Sequence, residues 1–306
     1  MKKLMVLLCT LLITGCSIAP AQPETFTIYA PVSTSSIPVI LAAQSMPEAN
    51  LVLYTDQSQA NAEFIRGDAD LMVSGLSVGA DMRKNGVPVQ VVNSFVSGLS
   101  YMVTYGQPIN SLAELDGKSV YMPFEGSPID QVMNYLVTAN GLKWKENVTP
   151  IYAPFDTSIA LLKEGKLEAV VLPEPSVTLV ESVPNVFINL DLAAEWDKAT
   201  GVEGGYPQVA TFVSSVWAAA HAGSIDTFNQ ALQTAIKQVE ADPAAAIEQV
   251  KDYYKIPADK LLTSLTRTRY SYVAGQSMRS SIEKYYETIG APLDENFKDF
   301  YFIAAH

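Results

Sequence analysis

The chain has 306 residues, of which 48% are hydrophobic, with two cysteines and a formal net charge of −12 at pH 7. This length is sufficient for two lobes, each with its own hydrophobic core. The acidic balance argues against a nucleic-acid-binding protein, because phosphate neutralisation requires clustered Lys and Arg residues. It also argues against an extended surface that adheres to anionic lipid.

The N-terminus has the pattern of an export signal. Lys2 and Lys3 precede an apolar run from Leu4 to Ile13, which is too short to span a bilayer as a helix. The run ends in Ile13-Thr14-Gly15-Cys16, which resembles the lipobox of bacterial lipoproteins. The resemblance implies cleavage before Cys16 and acylation of that cysteine, so residues 1–15 are the predicted signal peptide. The alternative is an ordinary signal peptide with a chance cysteine.

The mature chain is therefore expected to be exported and tethered by lipid. Residues 16–24 form a predicted lipidated linker, since the prolines and small polar residues of APAQPE cannot pack into a core. Cys9 lies in the removed segment and Cys16 carries lipid, so no disulfide is expected. We expect the protein on the outer face of a bacterial cytoplasmic membrane or in the periplasm.

The body of the chain alternates β-rich runs with helical patterns, which is typical of parallel sheets covered by helices. In the first set, Ser58–Arg66 is amphipathic and predicts a helix, for which Gly67 is a typical C-terminal cap. Another helix is predicted near Ile37–Gln44, and a third ends at Arg83-Lys84. The predicted strands are Phe26–Ala30, Leu51–Thr55, Leu71–Val73 and Gln90–Ser94.

The second set begins at Leu99. Ser111 and Glu114 have the spacing of a capping box at the start of a short helix. Helices are also predicted at Ser127–Asn140 and Thr157–Glu164, each followed by glycine. The predicted strands are Leu99–Tyr105, Ser119–Met122, Val148–Ala153, Ala169–Leu172, Val186–Leu190 and Gln208–Ser214.

After Gly223 the pattern is almost wholly helical. Pro243 behind Asp242 is a typical helix start, because Asp caps free N–H groups and Pro suits the first turn. The predicted helices of this tail are Ile225–Ala241, Pro243–Tyr254, Ala258–Thr266 and Ser277–Ile289.

Two βα sets followed by a helical tail predict an α/β protein with two lobes, each a sheet flanked by helices. A cleft is expected between the carboxyl ends of their strands, where ligands bind in such sheets. We expect residues 25–98 and 215–306 to form the first lobe, and residues 99–214 to form the second.

The order and spacing of several motifs from Thr25 to Ala246 resemble one protein family. These motifs are residues 64–71 (FIRGDADL), 74–77 (SGLS), 112–118 (LAELDGK), 124–128 (FEGSP), and 162–169 (LKEGKLEA) with 173–175 (PEP). They are similar to the nitrate, sulfonate, taurine and thiamine-precursor binding proteins of ABC importers, which have the type 2 periplasmic binding fold. Glu168 stands where the family more often has Asp, at a surface turn.

The resemblance implies a solute-binding protein that captures a small molecule and delivers it to an ABC permease and its ATPase. Neither enzymatic activity nor a cofactor is implied. A monomer is expected, since no long exposed apolar seam is evident in the sequence.

Small and hydroxyl-bearing residues at the expected strand ends are the candidate ligand contacts. Glycine allows close backbone approach, hydroxyls donate and accept hydrogen bonds, and the first turn of a helix offers free N–H groups. Ser and Thr are also common helix caps, so each loop allows a structural interpretation. The candidates are Ser33, Thr34, Ser35, Ser74, Gly75, Leu76, Ser77, Gly126 and Ser127.

Aromatic and acidic residues near the same loops complete the candidate site. Phe95, Phe124 and Phe155 are candidates to stack on a flat heterocycle, with core packing as the alternative. Glu125, Asp156 and Glu174 are the carboxylates near these loops, with Asp156 and Glu174 as candidate ligand contacts. Glu174 between two prolines is equally interpretable as a structural cap.

The charge of these loops bears on the ligand. Lys and Arg are absent from residues 31–36, 74–79, 123–128 and 154–158. An ionised sulfonate usually has a cationic partner. The sequence therefore favours a neutral or amine-bearing ligand, such as a pyrimidine vitamin precursor, over a sulfonate or nitrate.

The main alternative is an α/β-hydrolase-like esterase. Gly75–Gly79 (GLSVG) matches the G-x-S-x-G nucleophile elbow, with Ser77 as the nucleophile. Such an enzyme needs a histidine base, and the chain has only His221 and His306. The sequence has no His/Cys cluster that predicts a metal site.

Overall fold

The computed structural model describes residues 24–304. The predicted signal peptide, Cys16 and the linker up to residue 23 lie outside these residues. The first part of the chain alternates strands with helices and ends in a long strand. Its elements are β1 (Phe26–Pro31), α1 (Ile37–Gln44), β2 (Ala49–Tyr54), α2 (Gln57–Arg66), β3 (Leu71–Gly75), α3 (Leu76–Lys84) and β4 (Val89–Gly98).

The middle part has the same alternation, as the hydrophobic pattern predicts. Its elements are β5 (Ser100–Tyr105), β6 (Ser119–Met122), α4 (Pro128–Ala139), β7 (Thr149–Tyr152), α5 (Phe155–Lys163), β8 (Ala169–Pro173), α6 (Ser176–Val180), β9 (Val186–Asp191) and α7 (Leu192–Thr200).

The last part is mainly helical but contains two strands. Its elements are β10 (Val209–Ser214), α8 (Ser215–Ala220), α9 (Ala222–Ala241), α10 (Pro243–Val250), α11 (Ala258–Leu265), β11 (Arg269–Ala274) and α12 (Gly275–Thr288). The strand β11 was not predicted, although Tyr270 and Tyr272 alternate as they do in a strand. It pairs antiparallel with β4 at the edge of a sheet.

The strands form two separate sheets, which define two lobes. The first sheet has the order β11-β4-β10-β3-β1-β2, and the second has the order β7-β6-β8-β5-β9. In the first, β1 pairs parallel with β2 and β3, and in the second, β6 pairs parallel with β7 and β8. We call the elements from β1 to β4 and from β10 to α12 the first lobe, and those from β5 to α7 the second lobe.

The prediction that residues 99–214 belong to one lobe is wrong at its C-terminal end. The strand β10 lies inside the first sheet, antiparallel to both β3 and β4. The physical reason is burial on both faces: Ala210 and Phe212 face one hydrophobic cluster, and Val209 and Val213 face another. A strand that is apolar on both sides suits the centre of a covered sheet.

Local signals account for the helix ends. Asp56 accepts a hydrogen bond from Gln59 N at 2.9 Å and so caps α2. Gly67 ends that helix in the left-handed conformation with φ of +87°, which confirms it as the predicted C-terminal cap. None of the helices in residues 24–304 combines the length and the hydrophobicity needed to cross a bilayer.

Two hinge segments connect the lobes, residues 97–100 and 205–208. They lie side by side, because Tyr206 N donates to Ser97 O at 3.1 Å. The Gln208 side chain links them again, donating to Ser100 Oγ at 2.7 Å and accepting from Leu99 N at 3.2 Å. The chain therefore passes between the lobes through one paired connection.

The hydrophobic core has three parts. One cluster lies under α1, α9 and α10 in the first lobe, and a smaller one lies under α5 and α6 in the second. The third runs through both lobes and includes residues of α3, α4, α7 and α12. The lobes therefore share apolar contacts in addition to the hinge segments.

Candidate functional site

The first-lobe rim of the cleft is formed by the loops after β1 and β3. Ser33 Oγ accepts a hydrogen bond from Ser35 N at 3.3 Å, and this bond starts the short turn that leads into α1. Ser74 Oγ donates to Gln57 Oε1 at 3.0 Å. Gly75 then caps α3 without a side chain of its own. The predicted hydroxyl residues therefore lie at strand ends, and several also serve as caps.

The second-lobe rim is formed by the loop from Met122 to α4. Gly126 has φ of +79°, a conformation that favours glycine. Ser127 Oγ accepts from Asp130 N at 3.1 Å and so caps α4. Asp130 in turn accepts from Gly126 N and from Tyr152 OH, both at 2.9 Å. This network fixes the loop that the sequence identified as a candidate site.

The two rims face and touch each other. A methyl group placed on Gly75 would lie 2.7 Å from Pro128 Cγ at the start of α4. Ser33 Oγ in the first lobe donates to Glu174 O in the second at 3.3 Å. The structure therefore brings both predicted sets of loops together, and it has the lobes closed on one another.

Glu174 is engaged by the protein itself. Its side chain is 0% exposed, and its carboxylate accepts from Thr178 N at 3.1 Å and from Thr178 Oγ1 at 3.0 Å. Arg267 Nη1 in the first lobe lies 3.4 Å from the same carboxylate. Burial raises the pKa of Glu174. These contacts correspond to the structural-cap interpretation of this residue.

The other predicted residues divide into core and rim. Phe95 is fully buried in the first-lobe core, so the expectation of a ligand contact is replaced by the packing alternative. Leu76 is buried as well. Phe124 is 39% exposed on the second-lobe rim, Phe155 is partly buried and Asp156 is exposed. Thr34 is buried, and its hydroxyl lies 2.9 Å from that of Thr268.

Residues from the tail also reach the cleft, and the sequence interpretation missed them. Arg267 lies between α11 and β11, and Arg269 is the first residue of β11. Both contact carboxylates of the second lobe. The sequence signal for these contacts is the close spacing of Arg267 and Arg269. Basic residues are fewer than acidic ones in this chain, so two neighbouring arginines favour acidic partners. The predicted assignment of residues 215–306 to the first lobe did not include contacts with the second lobe.

The esterase alternative has no support in the geometry. Ser77 Oγ is buried and has no hydrogen-bond partner among residues 24–304. The ring nitrogens of His221 are engaged elsewhere, Nδ1 with Trp217 O at 2.9 Å and Nε2 with Glu24 Oε2 at 3.0 Å. His306 lies outside the described residues. Within 24–304, no three His, Cys, Asp or Glu residues are grouped to hold a metal.

Comparison of the sequence with family models gives a match over residues 48–246 to the family described as NMT1/THI5 like. Comparison with curated proteins gave no match.

Solved structures resemble this chain over nearly its whole length. A ligand-binding component of an ABC-type import system from Staphylococcus aureus has a TM-score of 0.74 at 14% identity, covering 92% of this chain and 97% of its own. The periplasmic aliphatic sulphonate binding protein of Escherichia coli has a TM-score of 0.74 at 16% identity, covering 93% and 94%. The alkanesulfonate-binding protein of Xanthomonas axonopodis pv. citri, bound to MOPS, has a TM-score of 0.70 at 15% identity, covering 90% and 96%. At these identities the likeness establishes the fold, and it confirms the predicted two-lobed α/β architecture.

Proposed function

The chain belongs to the NMT1/THI5-like family, and from this premise we propose that it is a solute-binding protein that captures a small molecule between its lobes for an ABC import permease. The observation that carries the proposal is the meeting of the rims, Gly75 against Pro128 and Ser33 against Glu174. A protein that closes around a guest requires loops of both lobes to converge on one place.

The proposed ligand contacts are the rim groups that a partly opened cleft would expose. They comprise the hydroxyls and backbone of residues 33–35 and 74–77 in the first lobe, and those of residues 126–127 in the second. Phe124, Phe155 and Asp156 border the same opening. The first turn of α3 supports this role, because no side chain caps it and no acidic residue lies in it.

The proposed ligand is a neutral or amine-bearing organic molecule, with a pyrimidine vitamin precursor as the leading example. Residues 31–36, 74–79, 123–128 and 154–158 contain two acidic residues, Glu125 and Asp156, and no Lys or Arg. Arg267 is already engaged by Glu174 and Glu181 of the second lobe. A sulfonate or nitrate would therefore rely on N–H and O–H donors alone.

We further propose export and lipid anchoring through Cys16, with the ABC permease and its ATPase as partners and a monomeric state. The resemblance of residues 13–16 to a lipobox supports the anchor. Closure of the lobes would create the shape that the permease recognises.

The experiment is native mass spectrometry of the gently purified full chain, followed by thermal unfolding with four probes. The probes are an aminopyrimidine with a hydroxymethyl group, taurine, a longer alkanesulfonate and nitrate. A ligand at a hundred times its Kd stabilises the native state by about 2.7 kcal/mol, which at about 2 °C per kcal/mol raises Tm by about 5 °C.

We expect the aminopyrimidine to produce this shift. A shift with a sulfonate alone would contradict the ligand class and leave the solute-binding role intact. If no co-purified molecule is found and none of a wider set of vitamins and amines shifts Tm, the proposed function is wrong.

A further inference from the structure

Ion pairs join the two lobes in one cluster, which we call the interlobe ion-pair cluster. The first lobe contributes three cations, Lys260, Arg267 and Arg269. Lys260 Nζ lies 2.8 Å from Glu181 Oε1, and Arg267 Nη2 lies 3.0 Å from Glu181 Oε2. Arg267 Nη1 also reaches Glu174, and Arg269 bridges Asp191 at 2.8 Å and Asp197 at 3.0 Å.

The cluster has a consistent polarity. Every cation in it belongs to the first lobe, and all four carboxylates belong to the second lobe. The other ion pairs recorded among residues 24–304 join groups of the same lobe, as Arg66 and Asp68 do. Opening the lobes therefore separates opposite charges at this place, and closing them brings these charges together.

The pairs are better shielded than ordinary surface pairs. Arg267 is 25% exposed and faces the fully buried Glu174, whereas Arg66 and Asp68 are 59% and 51% exposed. Both arginines use two nitrogens on two different acceptors, which adds geometric specificity. The hydrogen bond from Lys260 lowers the pKa of Glu181. The interaction free energy of such partly buried pairs is larger than that of isolated exposed pairs. Partial hydration keeps the cost of desolvating the charges moderate.

The contacts surround the part of the cleft next to the hinge. Arg269 lies opposite Gly98 in the β11–β4 ladder, at the end of β4 where the first hinge segment runs. Tyr101 OH, just beyond that segment, donates to Arg267 O at 3.2 Å. Arg267 and Arg269 therefore lie on the hinge side of the cleft.

From these observations we propose that the interlobe ion-pair cluster closes the empty protein, so that the balance between closed and open forms is set by ionic strength. The inference concerns the ligand-free chain and holds whatever the ligand is. Its consequence for binding is that salt weakens ligand affinity, since a smaller fraction of the protein is in the closed form.

The test measures the distance between the lobes directly. Spin labels are attached at Ala62→Cys on α2 and Ala160→Cys on α5, both exposed positions, in the ligand-free full chain. The singly substituted chains report any labelling elsewhere. Distance distributions are recorded between about 0.01 M and 1 M NaCl, over which the Debye length falls from about 30 Å to about 3 Å.

The cation-free variant is Lys260→Gln with Arg267→Gln and Arg269→Gln, which removes every cation of the cluster. The matched control is Arg66→Gln, which removes an arginine from a pair within the first lobe. We expect the closed-to-open ratio of the natural chain to fall about tenfold across the salt range. The cation-free variant should be open at low salt and should not open further with added salt, and the control should follow the natural chain.

A charge exchange, Arg269→Glu with Asp191→Arg, guards against misfolding of the cation-free variant. Restored closure in the exchanged chain relative to Arg269→Glu alone supports the cluster. The proposal is overturned if the natural chain shows one unchanged distance distribution across the salt range, a result that needs no substitution.

Discussion

At the scale of single residues, Gly75 matters because it leaves space for Pro128 of the other lobe. Its φ of −60° is one that alanine also adopts, so Gly75→Ala is compatible with the fold of the first lobe. The added methyl group would lie 2.7 Å from Pro128 Cγ and hold the rims apart. We expect ligand affinity to fall by at least about tenfold, as measured by calorimetry, because the closed form becomes costly.

The control for this substitution is Gly223→Ala on α9, where an added methyl group meets nothing within 4 Å. This change should leave ligand affinity unaltered. Equal affinity of Gly75→Ala and the natural chain would place the ligand somewhere other than between these rims.

The raised pKa of His221 leads us to expect that stability depends on pH. Its hydrogen bond to the Trp217 backbone raises its pKa above the ordinary value of 6.5, assisted by Glu24. Because the folded state holds the proton more tightly, this stabilisation is fully present below pH 6.5 and is lost as pH rises through the folded pKa. Urea unfolding should show the natural chain losing its advantage over His221→Asn with rising pH. A difference that grows with pH would contradict the assignment.

Single residues were predictable from the sequence where the local chain decides their role. Gly67, Ser127 and Gly126 have the roles their residue types suggest, a helix end, a cap and a turn. The role of Phe95 could not be predicted, because an aromatic residue in a strand has the same sequence pattern whether it faces the core or the cleft. Arg267 and Arg269 find their partners through tertiary packing, which residue type alone does not reveal.

At the scale of elements, the N-terminus of α4 combines a structural and a proposed binding role. Ser127→Ala removes the hydroxyl that accepts from Asp130 N, so we expect unfolding free energy to fall by about 1 kcal/mol. Ligand affinity should fall too, because the rim loop loses its fixed geometry. Chemical denaturation and calorimetry on the same samples measure both effects.

Ser214→Ala is the matched control for that helix cap. Ser214 caps α8 by accepting from Trp217 N at 3.1 Å, at the end of β10 away from the hinge segments. The Ser214→Ala variant should lose about the same free energy of unfolding as Ser127→Ala, and it should retain full ligand affinity. If the two variants lose affinity alike, the effect of Ser127 is one of stability and not of the rim.

Most elements were predictable because hydrophobic periodicity and glycine or proline punctuation agree along the chain. The sequence predicted the strand β10 but assigned it to the wrong lobe, since a strand that is buried on both faces is compatible with either sheet. Only the pairing with β3 and β4 decides the matter. The strand β11 was missed because an edge strand between helices is short and half exposed.

At the scale of the whole molecule, the proposed anchor at Cys16 can be tested separately from ligand binding. In bacteria grown with labelled palmitate, the full natural chain should incorporate label and sediment with membranes. Cys16→Ser should do neither, because the acylated thiol is absent, while purified Cys16→Ser should bind ligand normally. Cys9→Ser is the control and should behave as the natural chain does.

The paired hinge segments have a mechanical consequence. The two segments cross between the lobes side by side, and the Tyr206 backbone and the Gln208 side chain join them. They therefore form one hinge. We expect such a pair to allow rotation about a common axis and to resist sliding of one lobe against the other. We therefore expect the opening of the lobes to be described mainly by one angle, and the permease proposed as partner would need to distinguish only the open form from the closed form.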